Sequence, residues 1–161
     1  MKILISIGTR PEAIKMAALI RSLKNDPFFD LTVCNTGQHD ELIKPVFDLF
    51  EIVPDYSLDI MKPGVEVHSM SSAILDSFSK LLKNITPDIV FVHGDTATTF
   101  ASAMSAYLNK NRIAQVEAGL RTGNLYSPWP EEGNRRLVGS LANVHYAPTN
   151  QARENLIREG I

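Results

Sequence analysis

Short apolar segments alternate with longer amphipathic ones along most of the chain. The apolar segments are four to six residues long, rich in β-branched side chains, and bounded by Gly, Pro, Asp or Thr. This pattern is typical of strands that are buried on both faces. We expect such strands at Lys2–Ile7, Leu31–Asn35, Asp88–His93, Arg112–Val116 and Val144–Ala147, with Tyr56–Ile60 as a weaker candidate.

The segments between the strands carry apolar residues at helical spacing, which indicates amphipathic helices. The predicted helices are Pro11–Lys24, Asp40–Phe50, Val65–Asn84, Ala97–Leu108, Glu131–Leu141 and Asn150–Glu159. Regular alternation of strands and helices favours an α/β fold with a doubly wound, mostly parallel sheet and helices on both of its faces.

Composition and charge narrow the class of protein. A chain of 161 residues suits one domain, and 44% hydrophobic residues are enough for a buried core. Lys and Arg number 16 against 18 Asp and Glu, so no positive excess is present for nucleic acid or an anionic membrane surface. No apolar run approaches the ~20 residues of a membrane span, and Met1 leads directly into the first strand. We therefore expect a cytoplasmic protein.

The candidate chemistry lies in the loops that follow the strands, because ligands of such sheets bind at the carboxyl ends of the strands. The first loop, Gly8–Glu12, opens a helix and is expected to offer backbone N–H groups to an anion. Arg10 and Lys15 add positive charge there, although a helix start with a solvated arginine is an equal interpretation. The single glycine of this loop does not match a dinucleotide-binding fingerprint.

Three later loops each carry an acid, namely Asp95, Glu117 and Glu131. If their strands are neighbours, the three carboxylates meet at one edge of the sheet, where Arg135 is a further candidate for substrate binding. Such a group suits acid–base chemistry beside an anionic leaving group. Asp95 could instead cap the following helix, and Glu132 is interpreted as ordinary acidic decoration of a helix start. We predict no metal site, because no histidine shares helical spacing with the acids.

Four segments together resemble one known family. They are GTRPEAIKMA (Gly8–Ala17), HGDT (His93–Thr96), VEAGLRTG (Val116–Gly123) and YSPWPEEGNR (Tyr126–Arg135). In this order and spacing they resemble the non-hydrolysing UDP-N-acetylglucosamine 2-epimerases of bacteria. The resemblance covers essentially the whole of residues 1–161, but only the amino-terminal half of the proteins in that family.

The resemblance implies an enzyme that interconverts UDP-GlcNAc and UDP-ManNAc for surface polysaccharide synthesis. It implies two Rossmann-like domains in the GT-B arrangement, with the active site between them and with neither a metal nor a bound NAD required. The essential carboxylates of the family fall on Asp95, Glu117 and Glu131, and Arg10 and Lys15 lie near the substrate.

The family also binds a second UDP-GlcNAc as an activator, and the residues that help to hold it match Gln38 and His39. The resemblance further implies that residues 1–161 are the amino-terminal Rossmann-like domain, that the carboxyl-terminal UDP-binding domain is absent from them, and that a homodimer is possible.

The family's chemistry is elimination of UDP to a glycal, followed by its re-addition. An isolated amino-terminal half is expected to be nearly inactive. Three other interpretations stay open: a non-catalytic domain that binds a nucleotide sugar or a partner, half of a GT-B glycosyltransferase, and half of an epimerase for a modified UDP-sugar.

Overall fold

The computed structural model describes residues 1–38, 40–60 and 65–161. Within them the strands are β1 (Lys2–Ile7), β2 (Asp30–Asn35), β3 (Tyr56–Ser57), β4 (Ile89–His93), β5 (Arg112–Val116) and β6 (Val144–Tyr146). They form one sheet in the order β3-β2-β1-β4-β5-β6, and each neighbouring pair is parallel.

The helices of the described residues are α1 (Arg10–Lys24), α2 (Asp40–Leu49), α3 (Val67–Ile85), α4 (Ala97–Leu108), α5 (Glu131–Leu141) and α6 (Asn150–Arg158). The predicted α/β fold with a doubly wound parallel sheet is thereby confirmed. The weak strand candidate at Tyr56–Ile60 is reduced to two residues, because it lies at the edge of the sheet and pairs only with the end of β2. In the described part of the chain, no helix is both long enough and apolar enough to cross a membrane.

Both faces of the sheet are apolar, which explains the near-continuous hydrophobic runs of the strands. On one face Ile3, Ile5 and Ile7 pack in a cluster that includes residues of α1 and α2. On the other face Leu4 and Val90 pack in a cluster that includes residues of α3, α4 and α5. The side chains of β1 therefore alternate between two cores.

The strand order reverses between β1 and β4, which are neighbours in space but not in sequence. Helix α1 follows β1 on one face, whereas α4 follows β4 on the other. The two connections diverge at the carboxyl ends of these strands and leave a crevice, which is the usual ligand site of an open α/β sheet.

The turn after β1 lies very close to the start of α4. A Cβ atom on Gly8 would lie 2.0 Å from Oγ1 of Thr98 and 2.2 Å from Oγ1 of Thr36. Glycine is therefore required here for packing, because any side chain would push α4 away from the crevice.

Candidate active site

Lys15 and Glu117 meet at the crevice although 102 residues separate them. Lys15 Nζ lies 2.5 Å from Glu117 Oε1, and the lysine side chain is half exposed. The other carboxylate oxygen, Oε2, lies 3.6 Å from Nε2 of His93 at the end of β4. Glu117 thus has a cation on one oxygen and an imidazole near the other.

The backbone of Glu117 adopts a left-handed conformation with φ of 62°. For a residue with a side chain this conformation costs about 1–2 kcal/mol. Strain of this kind persists only where surrounding contacts enforce it, and it is often found at functional sites. Glu117 follows β5 directly, so the turn carries its carboxylate towards Lys15 rather than along the strand direction.

His93 is a member of this site to which the sequence pattern assigns no role. Its side chain is only 4% exposed. Burial lowers the pKa of His93, and nearby Lys15 lowers it further, although Glu117 and Asp95 act in the opposite direction. Burial therefore favours the neutral imidazole. The sequence signals were its position at the end of an apolar strand and its place in the segment HGDT, which resembles the family.

Asp95 is held by residues of α5. Its Oδ2 accepts a hydrogen bond from Nε of Arg135 at 2.8 Å and forms an ion pair with Nη2 at 2.7 Å. Its backbone carbonyl accepts a hydrogen bond from Asn134. The alternative that Asp95 caps α4 is wrong, because Thr96 is the capping residue and its hydroxyl accepts from the N–H of Thr99. The carboxylate of Asp95 is thus left for an interaction other than capping.

Asp95 and Glu131 line one cavity of about 260 Å³, together with Thr9, Gln38 and other residues. One buried oxygen atom of this lining, Oε2 of Glu131, has no hydrogen-bond partner among residues 1–38, 40–60 and 65–161. Unpaired buried polar atoms are costly and are rare in folded proteins. A ligand with a suitably placed hydroxyl or amide group would satisfy it.

A larger depression of about 810 Å³ adjoins this cavity and shares the lining residues Pro130 and Asn134 with it. Its wall includes the aromatic side chains of Phe100 and Trp129. Cavities of this combined size are typical of small-molecule sites.

Gln38 reaches the same region but is tied to α4. Its Oε1 accepts hydrogen bonds from the backbone N–H and from the hydroxyl of Thr98, at 3.1 and 2.8 Å. Its role in binding an activator stays a prediction. His39, the other predicted activator residue, lies outside the described residues.

The first loop differs from the expectation that its N–H groups would bind an anion. The N–H groups of Gly8 and Thr9 donate to Oε2 of Glu12, at 2.8 and 2.7 Å. Oε1 of Glu12 accepts from the hydroxyl of Thr96 at 2.5 Å. The spacing Thr9-x-x-Glu12 matches a capping box and is the signal that could have identified this bond. The side chain of Arg10 is exposed, and its role in binding an anion stays a prediction.

Glu12 is 1% exposed, and this burial raises its pKa, even though its hydrogen bonds act in the opposite direction. Because the folded state holds the proton more tightly than the unfolded chain, the contribution of Glu12 to stability falls as the pH rises from the ordinary glutamate range. Glu12 should therefore lower the unfolding free energy of the parent protein between about pH 4.5 and about pH 7.5. We expect the fall over this range to be smaller in Glu12→Gln. Urea unfolding of both proteins at the two pH values measures this difference. Glu154→Gln, at an exposed glutamate of α6, is the control. The expectation would be contradicted if the unfolding free energy of Glu12→Gln fell between the two pH values by as much as that of the parent.

The fold and the site define a Rossmann-like α/β domain. Its acid-rich candidate ligand site lies between β1 and β4, where the strand order reverses. Its sequence matches the family model described as UDP-N-acetylglucosamine 2-epimerase over residues 21–161. The chain belongs to that family.

Individual relatives agree with this assignment. The UDP-N-acetylglucosamine 2-epimerase of Salmonella typhimurium is 52% identical over 161 residues, which is 100% of this chain and 43% of the relative. A probable UDP-N-acetylglucosamine 2-epimerase of Ralstonia nicotianae is 51% identical over 99% of this chain and 43% of its own length. The crystal structure of the Neisseria meningitidis UDP-GlcNAc 2-epimerase bound to UDP-GlcNAc superposes with a TM-score of 0.95 and 48% identity, over 100% of this chain and 44% of that one. The chain thus spans less than half the length of these relatives and matches their amino-terminal part.

Proposed function

We propose that this chain is the amino-terminal half of an epimerase that interconverts UDP-GlcNAc and UDP-ManNAc, supplying precursors for surface polysaccharide. The observation that carries the proposal is the arrangement of three acids at one edge of the sheet. Glu117 is paired with Lys15, Asp95 is paired with Arg135, and Glu131 has one buried oxygen without a partner in the described part of the chain. The family assignment and the UDP-GlcNAc bound to the Neisseria relative support the same substrate.

The reaction requires a route around a C2–H bond that is not adjacent to a carbonyl group. In the proposed route the C2–H bond and the C1–O bond to UDP break, a C1=C2 double bond forms, and UDP leaves as an anion. A carboxylate takes the C2 proton. A second carboxyl group then returns a proton to the opposite face of C2, while a diphosphate oxygen of UDP adds back to C1.

Two of the acids Asp95, Glu117 and Glu131 carry out the two proton transfers in this proposal, and the remaining acid orients the reacting groups. Arg10 and Lys15 stabilise the charge that develops on the departing diphosphate. A proton on Glu117 would remove its charge, weaken its ion pair with Lys15, and release the lysine towards the diphosphate.

The proposal also includes what lies outside these residues. A carboxyl-terminal Rossmann-like domain would complete the GT-B arrangement and hold the uridine diphosphate, and two such chains would pair as a homodimer. Gln38 and His39 would help to bind a second UDP-GlcNAc as activator.

Isotope exchange tests the proposed function directly. UDP-GlcNAc is incubated in heavy water with the 161-residue chain alone, and with the chain co-expressed with the carboxyl-terminal part of the Salmonella typhimurium relative, here called the two-part assembly. We expect deuterium at C2 and formation of UDP-ManNAc with the assembly, and little or no exchange with the chain alone, because an open half-site holds the substrate too loosely.

Other outcomes identify the other interpretations. Transfer of the sugar to an acceptor without exchange at C2 would indicate a glycosyltransferase. Calorimetric binding of UDP-GlcNAc to the chain alone, without exchange in either preparation, would indicate a non-catalytic binding domain. Exchange only with a uronic acid derivative of the nucleotide sugar would indicate an epimerase for a modified substrate.

A further inference from the structure

Glu132 is a completely buried carboxylate next to the proposed acids, with 0% of its surface exposed. Its Oε2 accepts a hydrogen bond from the N–H of Thr122 at 3.1 Å, and its Oε1 accepts one from the N–H of Gly123 at 3.4 Å. Two guanidinium groups complete its surroundings: Nη1 of Arg135 at 3.4 Å and Nε of Arg136 at 3.1 Å. Burial would raise the pKa of Glu132, but these donors outweigh it and lower the pKa overall. The group is therefore a buried anion and not the surface decoration expected from the sequence.

Arg135 connects this anion to Asp95. Its Nε donates to Oδ2 of Asp95 and its Nη2 forms an ion pair with the same oxygen, whereas Nη1 lies near Glu132. A planar guanidinium held by carboxylates on two sides has a fixed orientation. Arg135 thereby fixes Asp95, at the tip of β4, relative to the first turn of α5, which also carries Glu131.

We propose that Glu132 is a positioning residue for the epimerisation, acting through Arg135 on Asp95. Arg135 occupies Oδ2 of Asp95, so the other oxygen of that carboxylate faces the substrate. The bonds of Glu132 to Thr122 and Gly123 fix the loop after β5 to the same helix. One buried anion therefore sets the spacing of Asp95 and Glu131. This inference rests on the proposed function, and it replaces direct substrate contact with a positioning role for Arg135.

The test measures deuterium incorporation at C2 by the two-part assembly with Glu132→Gln. We expect kcat to fall about 100-fold, as for a small displacement of a catalytic group, with KM within about threefold of the parent value. Glu159→Gln is the matched control, because Glu159 binds the guanidinium of Arg121 in a similar two-point contact away from Asp95. The control should keep kcat within about twofold of the parent, because neither hydrogen bond of Glu159 involves Asp95 or Arg135.

A double substitution separates positioning from a general effect on the fold. Because Glu132 acts through Asp95, Glu132→Gln should cause no further loss of rate in an Asp95→Asn background. An additional loss of the same size in that background, or a parental kcat for Glu132→Gln alone, would overturn the proposal.

Arg135→Lys provides the test if Glu132→Gln does not fold, as judged by circular dichroism. Lysine keeps the charge but cannot hold both carboxylates in one plane, so we expect the same fall in kcat. A raised KM with unchanged kcat would instead show that Arg135 contacts the substrate directly, and would overturn the positioning role. Absence of exchange in the parent assembly would contradict the proposed function itself, and this inference with it. An active parent assembly with an equally active variant would contradict only the positioning role.

Discussion

Replacing Glu131 with glutamine is expected to lower the rate of deuterium incorporation at C2 by about 10³-fold in the two-part assembly. Glutamine keeps the size of the side chain and both of its hydrogen-bonding positions but can neither take nor return a proton. Glu131 is the most informative of the three acids for this test. Its Oε2 has no hydrogen-bond partner among the described residues, so the amide replaces an atom on which no internal bond of the fold depends. By contrast, the corresponding change at Glu117 would leave Lys15 without its ionic partner.

The matched control for this substitution is Glu154→Gln, which removes an exposed carboxylate paired with Arg158 on α6. The control should exchange deuterium at the parental rate, and both variants should unfold within a few degrees of the parent protein in a thermal melt followed by circular dichroism. A Glu131→Gln variant that exchanges at a tenth of the parental rate or faster would contradict a proton-transfer role, because loss of general acid–base catalysis costs at least ~10²-fold.

Strands β1, β4 and β5 were readable from the sequence because their apolar runs are buried on both faces. Ile3, Leu4 and Ile5 are all buried although they point to alternate sides of the sheet, so hydrophobicity alone indicates the strand. Pairing of β1 with both β2 and β4 creates the crevice. The order of the strands in the sheet was not predicted from the sequence, since it depends on which helix covers which face of the sheet.

The polar groups of the site were only partly predictable. Asp95, Glu117 and Glu131 stood out because each follows a strand or opens a helix in a segment of the resembling family. Glu12 and Glu132 look similar in sequence, since acids are common in the first turn of a helix. Their burial depends on contacts outside their own helix: Thr96, 84 residues along the chain, binds Glu12, and the loop after β5, ten residues before it, binds Glu132. A single sequence carries no local signal for contacts of that kind, apart from the capping-box spacing of Glu12.

Gly119→Ala should destabilise the chain strongly, because helix α6 lies directly against this glycine. A Cβ atom at Gly119 would lie 2.2 Å from the carbonyl oxygen of Ala152 and 3.0 Å from Cγ of Leu156. The nearest atom belongs to the helix backbone and cannot rotate away. Gly119 also has φ of 86°, where an L-residue is strained. Strain of about 1–2 kcal/mol and overpacking of about 1–3 kcal/mol together predict a loss of roughly 2–5 kcal/mol of unfolding free energy.

Gly123→Ala separates the two causes. Gly123 lies in the same loop with φ of 81°, but a Cβ atom there would meet nothing within 4 Å. This variant should lose only the backbone part, about 1–2 kcal/mol, because its new methyl group points into open space. For a chain of this size each kcal/mol lowers Tm by about 2–4 °C, so Gly119→Ala should melt several degrees below Gly123→Ala. Equal melting temperatures would show that α6 is not seated on Gly119. The backbone carbonyl of Gly119 also accepts a hydrogen bond from the side-chain amide of Asn155 in α6. We therefore infer that α6 supports the loop that carries Glu117, and equal melting temperatures would contradict this support.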